Sequence, residues 1–109
     1  MEIEIKDRKL AKRYHCKRKM EKEYGSKNAK MITQRINELQ AIANLGLMMS
    51  SELGRCHKLT GNYKGLYGLA LQEPFRMIIE PVFETQEDEN KGRLNAVKKV
   101  IIRKIIDYH

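Results

Sequence analysis

Isoleucine alternates with charged side chains at the start of the chain, and this two-residue period predicts a half-buried strand over residues 2–6. Asp7 follows at a position where its carboxylate can cap a short basic helix that runs to about Tyr14. A second helical segment, residues 17–24, is followed by Gly25, a residue favoured just past a helix C-terminus. The pattern therefore predicts one strand and two short helices before residue 26.

The strongest helical pattern lies in residues 26–43, where Ser26 is a suitable N-cap. Its apolar residues recur at spacings of three and four, which is typical of a helix face packed in a core. The apolar stripe consists of Ala29, Ile32, Ile36, Leu39 and Ala43, whereas Lys27, Lys30, Gln34, Arg35 and Glu38 lie away from it. We expect the stripe to face the core of the protein.

The pattern changes to β in the second half of the chain. An irregular segment is expected over residues 44–54 and a polar loop over residues 85–95. The remaining apolar runs predict four strands, at residues 56–59, 63–71, 75–83 and 97–108. Helices followed by a strand meander predict a single α+β domain over residues 1–109. In this domain the N-terminal strand and two to three helices pack on a mainly antiparallel sheet of four to five strands.

Positive charge is concentrated near the N-terminus. The chain has 22 Lys and Arg against 14 Asp and Glu, a net charge of +8, and eleven cations but only three acids fall in residues 6–30. A basic run is usually a solvated helical surface, but this density also fits attraction to a polyanion such as RNA. The candidate RNA-contacting residues are Lys9, Lys12, Arg13, Lys17 and Arg18.

The two cysteines indicate neither a disulfide framework nor a metal site. The pairs His15-Cys16 and Cys56-His57 suggest zinc, but neighbouring residues diverge on a helix and oppose each other on a strand, so neither pair converges on one ion. We therefore predict no metal and no other cofactor. The start of the chain lacks an apolar leader and no apolar stretch approaches membrane-spanning length, which favours a cytoplasmic protein.

Three segments carry side chains suited to phosphodiester chemistry. His57 starts one predicted strand, Arg76 lies inside another, and the chain stops on Asp107-Tyr108-His109 directly after an alternating run. Histidine gives and takes a proton near neutral pH, and the arginine fork fits a phosphate. The simpler alternatives are a strand-edge histidine bonded to backbone, an arginine paired with a surface glutamate, and a frayed terminus.

These segments also carry a family resemblance. The sequences RCHKLTGNYKGLYGLAL over residues 55–71, PFRMIIEP over residues 74–81 and IDYH over residues 106–109 resemble, in order and spacing, the HigB branch of the RelE/ParE toxins. These proteins are the toxin halves of bacterial type II toxin–antitoxin pairs. The likeness is strongest over the last half of the chain, and it implies a RelE-like fold.

The resemblance implies a ribosome-dependent mRNA endoribonuclease, in which the 2′-hydroxyl attacks the adjacent phosphate without a metal. His57 and His109 then fall on proton-transfer residues, and which of them takes the proton and which gives it stays open. Arg76 would hold the scissile phosphate. Asp107 would fix the tautomer of His109, and Tyr108 would contact a phosphate or a base.

Other residues of the same segments would support the site. Lys58 and Lys64 would add positive field, and Tyr67 would either stack on a base or pack within the sheet. Thr60 stands where a lysine is usual in the family, so the role of that cation is either absent or taken by Lys58 or Lys64.

The resemblance also implies partners, namely a cognate antitoxin of the HigA-like helix-turn-helix type, the ribosome and mRNA, but no membrane. Two other functions stay open. One is a ParE-like toxin that acts on DNA gyrase without nuclease chemistry, against which the pair of His57 and His109 argues. The other is a non-catalytic RNA-binding module, which would need the basic surface but neither Arg76 nor His109.

Overall fold

The computed structural model describes residues 1–107, so the roles expected for Tyr108 and His109 fall outside the described residues. The strands are β1 (Glu2–Ile5), β2 (His57–Lys58), β3 (Tyr67–Ala70), β4 (Phe75–Val82) and β5 (Lys99–Asp107). The helices are α1 (Arg8–Arg13), α2 (Lys17–Ala41), α3 (Leu45–Ser50) and α4 (Gln86–Asn90). Short 3-10 turns lie at Leu53–Arg55, Gly61–Tyr63 and Leu94–Ala96.

The five strands form one mixed sheet in the order β1-β5-β4-β3-β2. β1 runs parallel to β5, and the other three neighbouring pairs are antiparallel. The predicted α+β class with a mainly antiparallel sheet is therefore confirmed. The N-terminal strand, the helices and the strand count are compatible with a RelE-like fold.

One face of the sheet and the helices share a single apolar core. Tyr67, Leu69, Met77, Ile79 and Ile102 of the sheet belong to the same buried cluster as residues of α1, α2 and α3. The helical members are Leu10, Met20, Ala29, Ile32, Ile36, Leu39, Leu45 and Met48. The helices thus cover one side of the sheet, and we call this side the helix face. Within the described part of the chain, no helix is both long enough and apolar enough to cross a membrane.

The long helix α2 combines two of the predicted helices. Gly25 interrupts it with a non-helical backbone, φ 82° and ψ 158°, which only glycine adopts readily. Four residues of the predicted stripe are buried, but Ala43 is exposed because the helix ends at Ala41. Arg35, expected off the core face, is also buried. That expectation was wrong because its Nε donates to the carbonyl oxygen of Ala70 at 2.7 Å.

Two segments expected to be irregular contain short helices. Asn44 caps α3, since its Oδ1 accepts from the Leu47 amide at 2.9 Å. Thr85 caps α4, since its Oγ1 accepts from the Asp88 amide at 3.1 Å. Conversely, β3 begins at Tyr67 rather than at residue 63, because a 3-10 turn occupies the residues before it.

Candidate active site

The register of the sheet brings two of the predicted site residues to one face. His57 pairs with Gly68, Gly68 with Ile78, and Ile78 with Lys104, so these four residues form one row across the strands. The next row consists of Ala70, Arg76 and Ile106. Directly paired residues and residues two apart on a strand point to the same side. These seven residues therefore share the face opposite the helices, which we call the site face.

His57 is exposed at the outer strand of the sheet, and its ring is held by the backbone. Its Nδ1 lies 2.8 Å from the carbonyl oxygen of Arg55. A carbonyl oxygen only accepts, so Nδ1 carries the proton and Nε2 of a neutral ring keeps its lone pair. This backbone bond is the one expected of a simple strand-edge histidine, and it also leaves Nε2 able to accept a proton.

Arg76 makes the surface ion pair expected of the simpler alternative. Its guanidinium donates to the Phe75 carbonyl oxygen at 2.9 Å and to Glu73 Oε1 at 3.3 Å. The Glu73 side chain is 76% exposed, and an ion pair with so exposed a partner contributes little, about 0–1 kcal/mol. A phosphate can therefore compete with Glu73 for the guanidinium at small cost.

Small residues lie on β3 between the histidine and the arginine. Gly68 and Ala70 are the only β3 residues on the site face, so no long side chain separates β2 from β4 there. The Cα atoms of His57 and Arg76 are two strands and one row apart, which corresponds to about 12 Å. Both side chains are long enough to approach a single group lying between their outer ends.

Lys104 also lies on the site face, although the sequence pattern does not predict it there. Its Nζ lies 5.1 Å from the centroid of the Tyr63 ring, a cation–π contact. A β-bulge explains its position, because Ile78 pairs with Lys104 while Ile79 pairs with Ile102. The extra residue, Arg103, shifts the alternation so that Lys104 and Ile102 point to opposite faces.

Asp107 is not brought to the same face as the other candidates. It pairs with Phe75, and the next pair on that side, Met77 with Ile105, contacts the helix-side core. The register therefore places Asp107 on the opposite side of the sheet from Arg76. The predicted partnership of Asp107 with His109, and the role of Tyr108, involve residues outside the described part of the chain.

The register places two of the supporting residues, Lys58 and Tyr67, on the helix face rather than on the site face. Lys58 pairs with Tyr67 on the helix face, and with the exposed Lys64 it lines a hollow of about 660 Å³ that also includes Glu80 and Glu89. Tyr67 is only 5% exposed and belongs to the core. Its burial raises the pKa of its hydroxyl. The base-stacking role for Tyr67 is therefore wrong, and the alternative of packing within the sheet is correct.

The predicted RNA-contacting residues of the first helices are partly engaged with an acid. Glu23 pairs with Lys9 Nζ at 3.5 Å and with Arg13 Nε at 3.2 Å. Lys12, Lys17 and Arg18 are exposed. The structure thus presents cations on this surface, but two of the five are locally neutralised.

Among residues 1–107, no group of three or more His, Cys, Asp and Glu side chains is placed to hold a metal ion. Burial raises the pKa of the Cys56 thiol to about 12, so this side chain stays protonated at neutral pH.

Comparisons with protein-family models, with curated proteins and with solved structures find no match to this chain.

Proposed function

We propose that this chain is a HigB-like toxin of a type II toxin–antitoxin pair, a ribosome-dependent mRNA endoribonuclease that blocks translation. The observation that carries the proposal is the placement of His57 and Arg76 on the site face, with only the small residues Gly68 and Ala70 between them on β3. A proton acceptor and a permanent cation are the two groups that attack by a 2′-hydroxyl requires.

In the proposed reaction His57 takes the proton of the 2′-hydroxyl through Nε2. The bond from Nδ1 to the Arg55 carbonyl supports this choice, since it leaves Nε2 with the lone pair. The 2′-oxygen then bonds to the adjacent phosphorus as the bond to the 5′-oxygen breaks. Arg76 offsets the charge that develops on the phosphate oxygens. His109 gives the leaving 5′-oxygen its proton, and the product is a 2′,3′-cyclic phosphate.

The proposed partners follow the distribution of charge. Lys12, Lys17 and Arg18 would contact ribosomal RNA electrostatically, so the ribosome would position the message in the site. A HigA-like antitoxin would neutralise the toxin, and both would act in the cytoplasm. The reaction needs no cofactor.

Controlled expression in a bacterium tests the function. The wild-type chain should arrest growth, and co-expression of the antitoxin encoded beside it should restore growth. His57→Ala should not arrest growth. His15→Ala is the control, because it removes another exposed histidine, which lies between α1 and α2, and it should behave as wild type. The 5′ ends of a translated message should map inside the codon being read.

Each alternative has its own result in this experiment. Growth arrest with intact messages and broken chromosomal DNA would indicate a ParE-like toxin acting on gyrase. Normal growth at verified high levels of folded protein would contradict toxin function. RNA binding without cleavage in the same preparation would leave a non-catalytic RNA-binding module.

A further inference from the structure

The site face holds a second cation that the proposed mechanism does not use. Lys104 and Arg76 are diagonal neighbours on adjacent strands, because Arg76 pairs with Ile106 and Lys104 lies two residues before it. Diagonal neighbours have Cα atoms about 7–8 Å apart. At this Cα separation the two side chains can contact neighbouring anionic groups of one ligand.

The other long cations of this part of the sheet are paired with carboxylates. Arg76 contacts Glu73, and Arg103 contacts Glu80 at 2.6 Å. Among residues 1–107, Lys104 makes no ion pair with a carboxylate, and its described contact is with the Tyr63 ring. The cation is thus held in place without being neutralised.

Tyr63 is itself fixed by the turn that carries it. The 3-10 turn Gly61–Tyr63 is closed by the bond from the Tyr63 amide to the Thr60 carbonyl at 3.2 Å. The Leu59 amide bonds to the Leu66 carbonyl at 3.0 Å and closes the base of the same loop. An aromatic ring held in this way restricts a lysine that would otherwise sample many rotamers.

We propose that Lys104, positioned by Tyr63, binds the RNA phosphate adjacent to the one held by Arg76. This inference rests on the proposed function, since it concerns the same substrate on the same face. The contact would fix the direction in which the strand leaves Arg76, toward the exposed side chain of Lys104 on the neighbouring strand β5. A lysine suits this role because it contacts a phosphate as a point charge without a fixed fork geometry.

Binding of a short oligoribonucleotide with 2′-O-methyl groups at every position tests the inference without cleavage. Lys104→Ala should weaken binding at low salt by about five- to tenfold. It should also make the fall of log affinity with log salt less steep, by about one unit of slope. Lys98→Ala is the matched control, because it removes one exposed charge near the start of the same strand. It should change affinity by less than about twofold.

Further variants separate the effect of the charge at residue 104 from the effect of its positioning by Tyr63. Lys104→Arg should restore most of the binding because the cation is kept. Tyr63→Leu should lose part of the affinity because the aromatic ring that contacts Lys104 is removed. Circular dichroism of each variant checks that the sheet is intact.

The outcomes distinguish this inference from the proposed function. If Lys104→Ala binds and cuts as well as wild type, the Lys104 contact is wrong while the nuclease function stands. If Lys104→Ala weakens binding selectively but the wild type cuts no message on ribosomes, the contact stands and the nuclease function fails. Equal losses for Lys104→Ala and Lys98→Ala, or no binding by the wild type at low salt, would overturn the inference.

Discussion

The imidazole of His57 lies against the backbone of Gly68, its partner across β2 and β3. A Cβ atom at residue 68 would lie 3.3 Å from Cε1 and 3.4 Å from Nε2 of His57, and 3.1 Å from Cδ2 of Leu59. The glycine is needed here for the space it leaves, because neighbours on both sides would have to give by a few tenths of an ångström. Residue 68 therefore limits where the His57 ring can lie.

Gly68→Ala should displace His57 and reduce growth arrest and cleavage while leaving the fold in place. Overpacking of this kind costs about 1–3 kcal/mol of unfolding free energy. The displacement can be measured from the His57 Cε1–H chemical shift, and the stability from denaturant unfolding. The double variant Gly68→Ala, His57→Ala should recover part of the lost stability, because one of the two crowded neighbours is gone.

An unchanged His57 resonance in Gly68→Ala, together with full activity, would show that strand β2 with His57 adjusts freely. The proposed positioning by Gly68 would then be wrong. Loss of activity with an unchanged resonance would indicate that the added methyl group obstructs the substrate and does not move the His57 ring.

Arg76 and Arg103 form a matched pair for testing the phosphate contact. They lie on neighbouring strands, and each is paired with one glutamate, Glu73 or Glu80. Arg76→Ala should lower the cleavage rate on ribosomes by roughly ten- to a thousandfold, since it removes a charge that stabilises the transition state. Arg103→Ala should change the rate by less than about threefold, because Arg103 is the residue of the bulge and lacks a counterpart in the row of Arg76.

Equal effects of the two arginine substitutions would mean that only the net charge matters, and Arg76 would lose its assigned role. Glu73→Gln adds an independent measurement. It frees the guanidinium of Arg76 from its present partner and should modestly raise RNA affinity at low salt.

The sequence pattern did not predict on which face of the sheet Lys104 lies. Alternation along β5 from Val100 and Ile102 predicts that Lys104 points toward the helices, but the bulge at Arg103 reverses it. No glycine or proline in residues 99–107 marks the bulge. The alternation could therefore not reveal the cation beside Arg76.

Long-range contacts explain the other errors. Arg35 lies off the apolar stripe of α2, yet it is buried because its partner, the Ala70 carbonyl, lies 35 residues away in sequence. Such a contact leaves no trace in helical periodicity. By contrast, the helix α3 had a local signal in the capping residue Asn44, which the turn-like composition of the segment obscured.

Removal of the last two residues should abolish growth arrest without unfolding the protein. The described pairs of β4 with β5, from Val82 with Lys99 to Phe75 with Asp107, are all kept in the shortened chain. Deletion of Tyr108 and His109, and His109→Ala alone, should each give wild-type circular dichroism and a midpoint of thermal unfolding within a few degrees of wild type. Growth arrest that persists at wild-type level in both variants would remove these residues from the proposed mechanism.

Alkaline titration should reveal the buried thiol of Cys56. Burial raises the pKa of this thiol from 9.0 to about 12, so the folded protein keeps a proton that the unfolded chain releases above pH 9. The stability that this proton contributes is fully present below pH 9 and is lost as the pH rises toward 12. We therefore expect the unfolding free energy of the wild type to fall over pH 9–12, and to fall less steeply in Cys56→Ala.

Tyr24, whose pKa is raised from 10.0 to about 12 by burial and by Asp7 and Glu23, should account for part of the remaining slope. Identical slopes for Cys56→Ala and the wild type, measured by denaturant unfolding at each pH, would contradict the burial of the thiol as the source of this dependence.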